Sequence, residues 1–383
     1  MKSAIYLDYA AATPLSAHVL DVMRPFFVEK FYNPSSPYLP AVEVRRDYDD
    51  AKRAIARAIG GRGDELVITA GATESINLAL SGMMGHVVTT SIEHHAVIEA
   101  VKAHEYTRVE TNSFGRVDPV RIVDAIRPDT TLISVAVANN ELGTIQPIRD
   151  IVEAIKPIRN ERLDSGNTTP LYVHTDASQG VGQIPIHVSR LGVDMMTLSA
   201  AKLYGPKQVG ALWCAPHVKL SPRIVGGGQE RGLRSGTENV AGVIGFAAAI
   251  QDAVSTQNGE SRRLRELRDS LESSLQEAFP EAVISGDKKH RLPGYLHISF
   301  PGIDAERMIF RLEMKGVYVA TGSACAANSG LRSHVLEAIG LAPEVADGSI
   351  RITLGRHTTE EQIRQAGEIL IEELSQEYRR VGI

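Results

Sequence analysis

The 383-residue sequence is poor in cysteine and contains only Cys214 and Cys325. Two cysteines are too few for a disulfide framework, and these two lack the paired spacing of a structural zinc site. Cysteine chemistry in this chain must therefore involve a single thiol. Cys214 lies in the apolar run GALWCAP, which is typical of a small buried side chain. Cys325 lies among small and polar residues in TGSACAANSG, which indicates an exposed loop and makes Cys325 the candidate reactive thiol.

The sequence also lacks an excess of positive charge and, in its first residues, a long apolar run. The chain carries 41 Lys and Arg against 46 Asp and Glu, so its composition does not favour binding to nucleic acid. The first residues, MKSAIYLDYAAATP, contain one early lysine and become polar by position 8, unlike the apolar core of a signal peptide or a membrane span. We therefore expect a cytoplasmic protein with no direct nucleic-acid partner and no membrane partner.

The chain is longer than a single hydrophobic core usually supports, so two domains are expected. In the first part, short apolar runs alternate with amphipathic patterns, which predicts an open α/β domain with a mainly parallel sheet. The polar stretch at 255–261 indicates a boundary near residue 257. We predict a large α/β domain at 15–257 and a smaller α+β domain formed by 1–14 and 258–383. The predicted strands of the large domain include ELVITA (65–70), HVVTTS (86–91), TLISVAVA (131–138), LYVHTDA (171–177), MMTLSA (195–200) and GALWCA (210–215).

Polar side chains follow successive predicted strands of the large domain. Ligands of open parallel sheets bind beyond the carboxyl ends of the strands, so these side chains are candidates for a site. Each alone has an ordinary explanation, because a threonine or an aspartate can cap a helix there and a histidine or a lysine can be solvated. Together they offer a phosphate turn, a ring-facing imidazole, a carboxylate for a pyridine nitrogen and an amine for a Schiff base, the set that pyridoxal phosphate needs. They are Thr73, His94, Asn140, Asp176, Gln179 and Lys202.

With these residues the sequence resembles the class V, fold-type-I pyridoxal-phosphate enzymes, and within them the cysteine desulfurases of iron–sulfur cluster assembly. The resemblance runs nearly from end to end, and it implies a large α/β domain with a mainly parallel sheet of the seven-stranded type and a smaller α+β domain. The segment from Cys325 to His334 resembles the first group of these desulfurases, which has the longer loop. The motifs that carry the resemblance are YLDYAAATP (6–14), NPSS (33–36), ITAGATES (68–75), EHHAV (93–97), NNELGTIQPI (139–148), HTDASQGVG (174–182), LSAAKLYGPKQVGAL (198–212), GGGQERGLRSGTENV (226–240), GSACAA (322–327) and SIRITLGRHTTEEQI (349–363).

The resemblance implies a role for each matching residue. Lys202 would form the Schiff base with the cofactor and later act as acid and base, His94 would stack on the ring, and Cys325 would receive sulfur as a persulfide. The implied cofactor-binding residues are Ala72, Thr73, His94, Asn140, Asp176, Gln179, Ser199 and Lys202, together with Thr237, which would reach the phosphate of a partner subunit in a homodimer. The implied substrate-binding residues are Asn33, Asn140 and Arg351. Ala201 departs from the family, which usually has a histidine before the lysine. The loss of this contact is expected to weaken binding of the cofactor phosphate.

The implied reaction converts L-cysteine to L-alanine and passes the sulfur to an acceptor protein, such as an iron–sulfur scaffold or a carrier for tRNA thiolation. No metal is expected. One alternative is a selenocysteine lyase or another class V pyridoxal-phosphate enzyme, which alanine release from the two amino acids separately would distinguish. Another alternative is an inactive assembly partner that kept the fold. Retention of Lys202, Asp176, Arg351 and Cys325 argues against it.

Overall fold

The structure is a computed structural model that describes residues 4–322 and 332–382. Cys325 lies outside the described residues. The strands within them are β1 (Ile5–Tyr6), β2 (Leu66–Thr69), β3 (His86–Thr90), β4 (Tyr106–Val109), β5 (Thr130–Ser134), β6 (Tyr172–Asp176), β7 (Met195–Ser199), β8 (Gly210–Cys214), β9 (Val283–Ser285), β10 (Tyr295–Ser299), β11 (Val317–Tyr318) and β12 (Ser349–Thr353).

Helices cover these strands. The α-helices of the described residues are α1 (Ala17–Met23), α2 (Pro25–Val28), α3 (Leu39–Ala58), α4 (Ala72–Leu80), α5 (His95–Val101), α6 (Pro119–Asp124), α7 (Ile148–Asp164), α8 (Val188–Leu191), α9 (Val240–Ala278), α10 (Ala305–Met314), α11 (His334–Ala338), α12 (Pro343–Ala346) and α13 (Glu360–Val381). Among them, none combines the length and the apolar character needed to cross a bilayer.

The large sheet has seven strands in the order β2-β8-β7-β6-β5-β3-β4. Strands β3 to β7 run parallel, whereas β8 is antiparallel to both of its neighbours. The six strands predicted from the sequence are confirmed. They are buried along their whole length or nearly so, which explains why each appears in the sequence as a continuous apolar run. Strand β4 was not named, because it lies at the sheet edge and its residues Tyr106 and Arg108 are exposed.

A smaller antiparallel sheet has the strand order β12-β10-β9 and a core of its own. Alternation along its strands separates two faces. Leu296 and Ile298 of β10 point into that core, together with Ile350 and Ile352 of the neighbouring β12. The residues between them are polar and also buried. This second face carries Tyr295, His297, Ser299, Ser349, Arg351 and Thr353.

Helix α9 connects the two cores and is 39 residues long. Its first half packs in the core of the large sheet through Phe246 and Ile250, and its second half packs in the small core through Leu271 and Leu275. Residues 255–261 are helical, so the predicted boundary near residue 257 falls within a continuous helix. Their polar side chains are satisfied locally, as the Ser255 and Thr256 hydroxyls donate to the Asp252 carbonyl. The division of the chain into domains near residue 257 stays a prediction.

Candidate active site

A cavity of about 170 Å³ lies beyond the carboxyl ends of the large-sheet strands, where the small sheet faces them. This is where the topology of an open parallel sheet places ligands. A larger groove of about 930 Å³ lies between α9 and α13 but contains none of the residues predicted for the site. Eight of the predicted residues line the smaller cavity together: Ala72, His94, Asn140, Asp176, Gln179, Ser199, Lys202 and Arg351.

Lys202 enters the cavity from a single 3₁₀ turn that follows β7. Its ammonium Nζ donates hydrogen bonds to the carbonyls of Ala10 (2.7 Å) and Ala11 (2.6 Å). Burial lowers the pKa of Lys202, and the Arg351 charge lowers it further, although nearby carboxylates act in the opposite direction. The shift favours the neutral amine, which is the form that attacks a carbonyl.

Asp176 and His94 lie at the ends of two different secondary-structure elements and line the same cavity. Asp176 is the last residue of β6, and its Oδ1 accepts hydrogen bonds from the Ser178 amide (2.9 Å) and hydroxyl (2.6 Å). His94 caps α5, where its Nδ1 accepts a hydrogen bond from the Ala96 amide at 3.0 Å. That bond places the ring proton of His94 on Nε2. Burial lowers the pKa of His94, which favours the neutral form of the ring.

Glu93 precedes His94 and is buried behind the cavity wall. Its carboxylate accepts hydrogen bonds from the Thr90 hydroxyl (2.7 Å) and the Ala136 amide (3.1 Å). Burial raises the pKa of Glu93 to about 7, and the charge of Asp176 adds to this effect. Glu93 was not selected from the sequence, since a glutamate beside two histidines carries no signal of burial.

Arg351 forms the opposite wall from the middle of β12, with only 2% of its side chain exposed. Its Nη2 lies 2.7 Å from Asp8 Oδ1, and its Nη1 donates to the Asn140 carbonyl at 3.2 Å. Its Nε is buried and has no hydrogen-bond partner among the described residues. A buried donor without a partner is rare in proteins and is a fitting position for an acceptor such as a carboxylate. The wall can therefore hold an anionic ligand.

Gln179 joins the two walls. Its Nε2 donates to the Ala10 carbonyl at 3.1 Å, and its Oε1 accepts a hydrogen bond from the Tyr295 hydroxyl at 2.7 Å. Tyr295 belongs to β10 of the small sheet and is buried, and burial raises its pKa. The hydroxyl of Tyr295 therefore stays protonated and orients the amide of Gln179. Tyr295 was missed from the sequence, because an aromatic residue in a strand usually indicates core packing.

The N-terminus of α4 forms a third side of the cavity. Ala72 begins this helix, and the preceding Gly71 has φ +135° with open space where a Cβ would project. Gly210 of β8 lies against it, so closely that a Cβ there would lie 2.7 Å from the Gly71 backbone. The free N–H groups of a helix N-terminus bind phosphate well. The amine, the carboxylate and this phosphate-binding turn fit pyridoxal phosphate.

Three of the predicted residues do not line this cavity. Thr73 is exposed on α4 next to Ala72 and does not line it. Asn33 and Thr237 are exposed and lie outside it. Cys325 is beyond the described residues. Cys214, in contrast, is buried as expected, and burial raises its pKa to about 11, which makes its thiol unreactive.

Ala201 lies between the cavity and the N-terminal segment. Its carbonyl accepts a hydrogen bond from the Thr13 hydroxyl at 2.9 Å. Its methyl side chain offers no hydrogen bond to a phosphate. The effect of Ala201 on cofactor affinity stays a prediction.

A buried lysine, a carboxylate and a helix N-terminus around one cavity of a mainly parallel sheet define a fold-type-I pyridoxal-phosphate enzyme. Residues 5–365 match the family described as aminotransferase class-V, and the chain belongs to this family. Its cofactor is pyridoxal phosphate.

Individual relatives agree with this assignment. The chain is 42% identical to the cysteine desulfurase IscS of Dictyoglomus turgidum over 382 residues, which cover 97% of this chain and 94% of the relative. A solved structure titled NifS-like protein has a TM-score of 0.88 and 34% identity, and covers 97% of this chain and 99% of its own. A second, titled SspA in complex with cysteine, has a TM-score of 0.77 and 32% identity, with 92% and 99% covered.

Proposed function

We propose that this chain is a pyridoxal-phosphate-dependent cysteine desulfurase, which converts L-cysteine to L-alanine and transfers the sulfur through Cys325 to an acceptor protein. The observation that carries the proposal is the single cavity lined by the Lys202 amine, the Asp176 carboxylate and the Arg351 guanidinium. These groups suit an amino acid that reacts on a pyridoxal ring while its carboxylate is held. The relatives named cysteine desulfurase support the choice of reaction.

Pyridoxal phosphate, when bound, supplies a ring that withdraws electrons from the α-carbon of the substrate. Lys202 would hold its aldehyde carbon, Asp176 its ring nitrogen and Gln179 its phenol oxygen. His94, neutral and facing the cavity, would lie against the ring. The phosphate would be held by the α4 N-terminus with Ala72 and Thr73, and by Ser199.

The cavity also supplies a base and a clamp. Lys202 becomes a proton carrier once its amine is free, because its lowered pKa allows it both to take and to return a proton. Arg351 would bind the substrate carboxylate, and its Nε has no partner among the described residues that would compete for this bond. Asn140 and Asn33 would complete the substrate site. Asn33 lies outside the cavity, so it would have to approach when substrate binds.

The sulfur step is assigned to Cys325. Its thiolate would attack the sulfur of the substrate, so that a new S–S bond forms while the bond between that sulfur and the β-carbon breaks. The electron pair left on the carbon would be protonated, giving alanine and a persulfide on Cys325. The electrons balance without an added oxidant. A thiol is the right nucleophile, since sulfur attacks sulfur readily as a thiolate.

A homodimer is part of the proposal. Large apolar side chains are exposed along residues 20–42, which is unusual for a surface that faces only water. Thr237 is exposed and does not line the cavity of its own chain, which is compatible with a role in the cavity of a second copy. The exposed apolar residues are Leu20, Phe27, Val28, Phe31, Tyr38, Leu39 and Val42. Sedimentation of the wild type and of the double variant Phe27→Ser/Phe31→Ser tests the dimer. A wild type that sediments as a monomer would rule it out.

The acceptor of the sulfur is proposed to be an iron–sulfur scaffold or a carrier for tRNA thiolation, and the place of the reaction is proposed to be the cytoplasm. Transfer of labelled sulfur from the loaded enzyme to purified candidates measures acceptor choice directly.

The decisive test of the proposed function is alanine release by the pyridoxal-phosphate-loaded enzyme. We expect L-cysteine to yield one alanine for each sulfur released. Selenocysteine is assayed separately under the same conditions. Release from selenocysteine alone would assign the chain to selenocysteine lyases, and release from neither would refute the proposal.

A further inference from the structure

The segment of residues 5–16, called here the N-terminal strap, runs from the small sheet to Lys202. At one end the Thr353 amide donates to the Leu7 carbonyl at 2.8 Å, and the Thr353 hydroxyl accepts from the Ala10 amide at 2.9 Å. At the other end the Thr13 hydroxyl binds the Ala201 carbonyl at 2.9 Å. These bonds fix the strap along the cavity, where Ala10 and Ala11 line it, and fix Asp8 beside Arg351.

Asp8 and Arg351 form an ion pair that is largely removed from water. The closest atoms are 2.7 Å apart, and the side chains of Arg351 and Asp8 are 2% and 18% exposed. A buried guanidinium without a partner would be strongly destabilising, so Asp8 compensates this charge. The pair is neutral as a unit before any ligand binds. Within the part of the chain that the structure describes, the Nε of Arg351 still has no hydrogen-bond partner.

The remaining charges of the described cavity lining are few. They are Lys202, whose amine is held by two strap carbonyls, and Asp176, which is negative. A ligand carboxylate at Arg351 therefore arrives within a few ångströms of the Asp8 charge. The guanidinium offsets the repulsion of this first carboxylate. A second negative charge on the same ligand would be repelled by Asp8 and Asp176. The described lining contains no second guanidinium to offset this repulsion.

We propose that Asp8 is a specificity-determining residue, which makes Arg351 a clamp for ligands with one carboxylate and rejects those with a second negative charge. The inference rests on the proposed function, in which Arg351 binds the carboxylate of the substrate. It adds a reason why the site selects a monocarboxylic amino acid such as cysteine over an acidic one. Asp8 acts through Arg351 and through its charge, not by contact with the reacting atoms.

The alternative is that Asp8 merely fastens the strap to the small sheet. Asp8→Asn separates the two roles, because the amide oxygen of asparagine still accepts a hydrogen bond from Arg351 while the negative charge is gone. A purely structural role would change stability and leave ligand preference alone. Asp8→Glu keeps the charge and serves as the second variant. Asp129→Asn, which removes an exposed partner of Arg127, is the matched control.

The experiment is calorimetric titration of the loaded enzyme with propionate and with succinate, which is propionate carrying a second carboxylate. Neither has an amine, so neither reacts with the cofactor. We expect the wild type, Asp8→Glu and Asp129→Asn to prefer propionate. In Asp8→Asn we expect the ratio of the succinate and propionate dissociation constants to fall about tenfold. The main cause should be tighter binding of succinate, as the loss of one nearby charge predicts.

Two outcomes would overturn the proposal. One is an unchanged ratio of the two affinities in Asp8→Asn, whatever happens to its melting temperature. The other is a wild type that binds propionate no better than succinate. Alanine release from cysteine is measured on the same preparations, so a failure of the proposed function, with no alanine from the wild type, is distinguished from a failure of the Asp8 assignment.

Discussion

The two walls of the cavity are built in different ways. The large-sheet wall consists of residues at strand ends and first helical turns, such as Asp176, His94 and Lys202. The small-sheet wall consists of Arg351, from the middle of an antiparallel strand, and of the strap residues Ala10 and Ala11, with Asp8 bound to Arg351. The residues of the first wall lie at the carboxyl ends of parallel strands, where such sheets bind ligands. The second wall depends on how the small sheet packs against the large one. Chemistry at the cofactor can thus be set by one wall and recognition of the substrate by the other.

The largest effect is expected at Lys202 of the large-sheet wall. Lys202→Ala removes both the covalent anchor and the proton carrier, so alanine release should fall by about 10³-fold or more. The visible absorbance of the loaded enzyme should vanish with it. Lys102→Ala, which removes an exposed partner of Glu99, should change neither. A visible band that persists in Lys202→Ala would show that another group holds the cofactor.

The next effect is expected at Arg351 of the small-sheet wall. Arg351→Gln removes the charged donors, so KM for cysteine should rise by about 100-fold while the visible band of the cofactor remains. This split would show that the two walls have separate tasks. Arg364→Gln, on the exposed face of α13, is the control and should leave KM unchanged. A loss of absorbance equal to that of Lys202→Ala would instead mean that the walls act as one unit.

A third effect concerns pH and the buried carboxyl behind the large-sheet wall. Because burial raises the pKa of Glu93 to about 7, its contribution to stability is fully present below the unfolded pKa and is lost as pH rises through the folded pKa. As the pH rises from about 4.5 to 7, the free energy of unfolding of the wild type should therefore fall by about 3 kcal/mol, and that of Glu93→Gln should not show this fall. Melting temperatures of both proteins at pH 5 and pH 8 measure the difference. Parallel shifts in the two proteins would mean that Glu93 titrates as an ordinary carboxyl.

The smallest effect is expected where the walls touch. Tyr295→Phe removes the hydroxyl that donates to Gln179 at 2.7 Å and keeps the packing of the ring. The loss of one buried hydrogen bond should weaken cofactor binding by about fivefold. Titration of the unloaded protein with pyridoxal phosphate, followed by its absorbance, gives the dissociation constant. Tyr106→Phe, at the outer edge strand, should have no effect.

The sequence predicts the large-sheet wall well for a physical reason. Buried parallel strands appear as continuous apolar runs, and the polar residues after them must share one edge of the sheet. Residues such as Lys202 and Asp176 could therefore be named without coordinates. The edge strand β4 could not be recognised, since an exposed edge lacks the apolar run.

The small-sheet wall could be named only in part. Arg351 was identified through resemblance, because nothing in SIRIT distinguishes a buried arginine from a solvated one. Asp8 and Tyr295 were missed, since their roles depend on partners more than 100 residues away, at Arg351 and Gln179. The polar, glycine-containing stretch at 255–261 gives no sign that one helix continues through it, because that continuity depends on helix propensity and on packing at both ends. Contacts between cores are tertiary and leave little local signal.

The central claim is that sulfur leaves cysteine on this site and arrives at Cys325. Its most direct test is a single turnover, in which the loaded enzyme receives one equivalent of L-cysteine, is quenched with an alkylating reagent and is digested for mass spectrometry. We predict one added sulfur atom on the peptide with Cys325, alanine in equal amount, and neither in Lys202→Ala. Alanine released in full by Cys325→Ser, or a wild-type peptide without the added sulfur, would contradict the account.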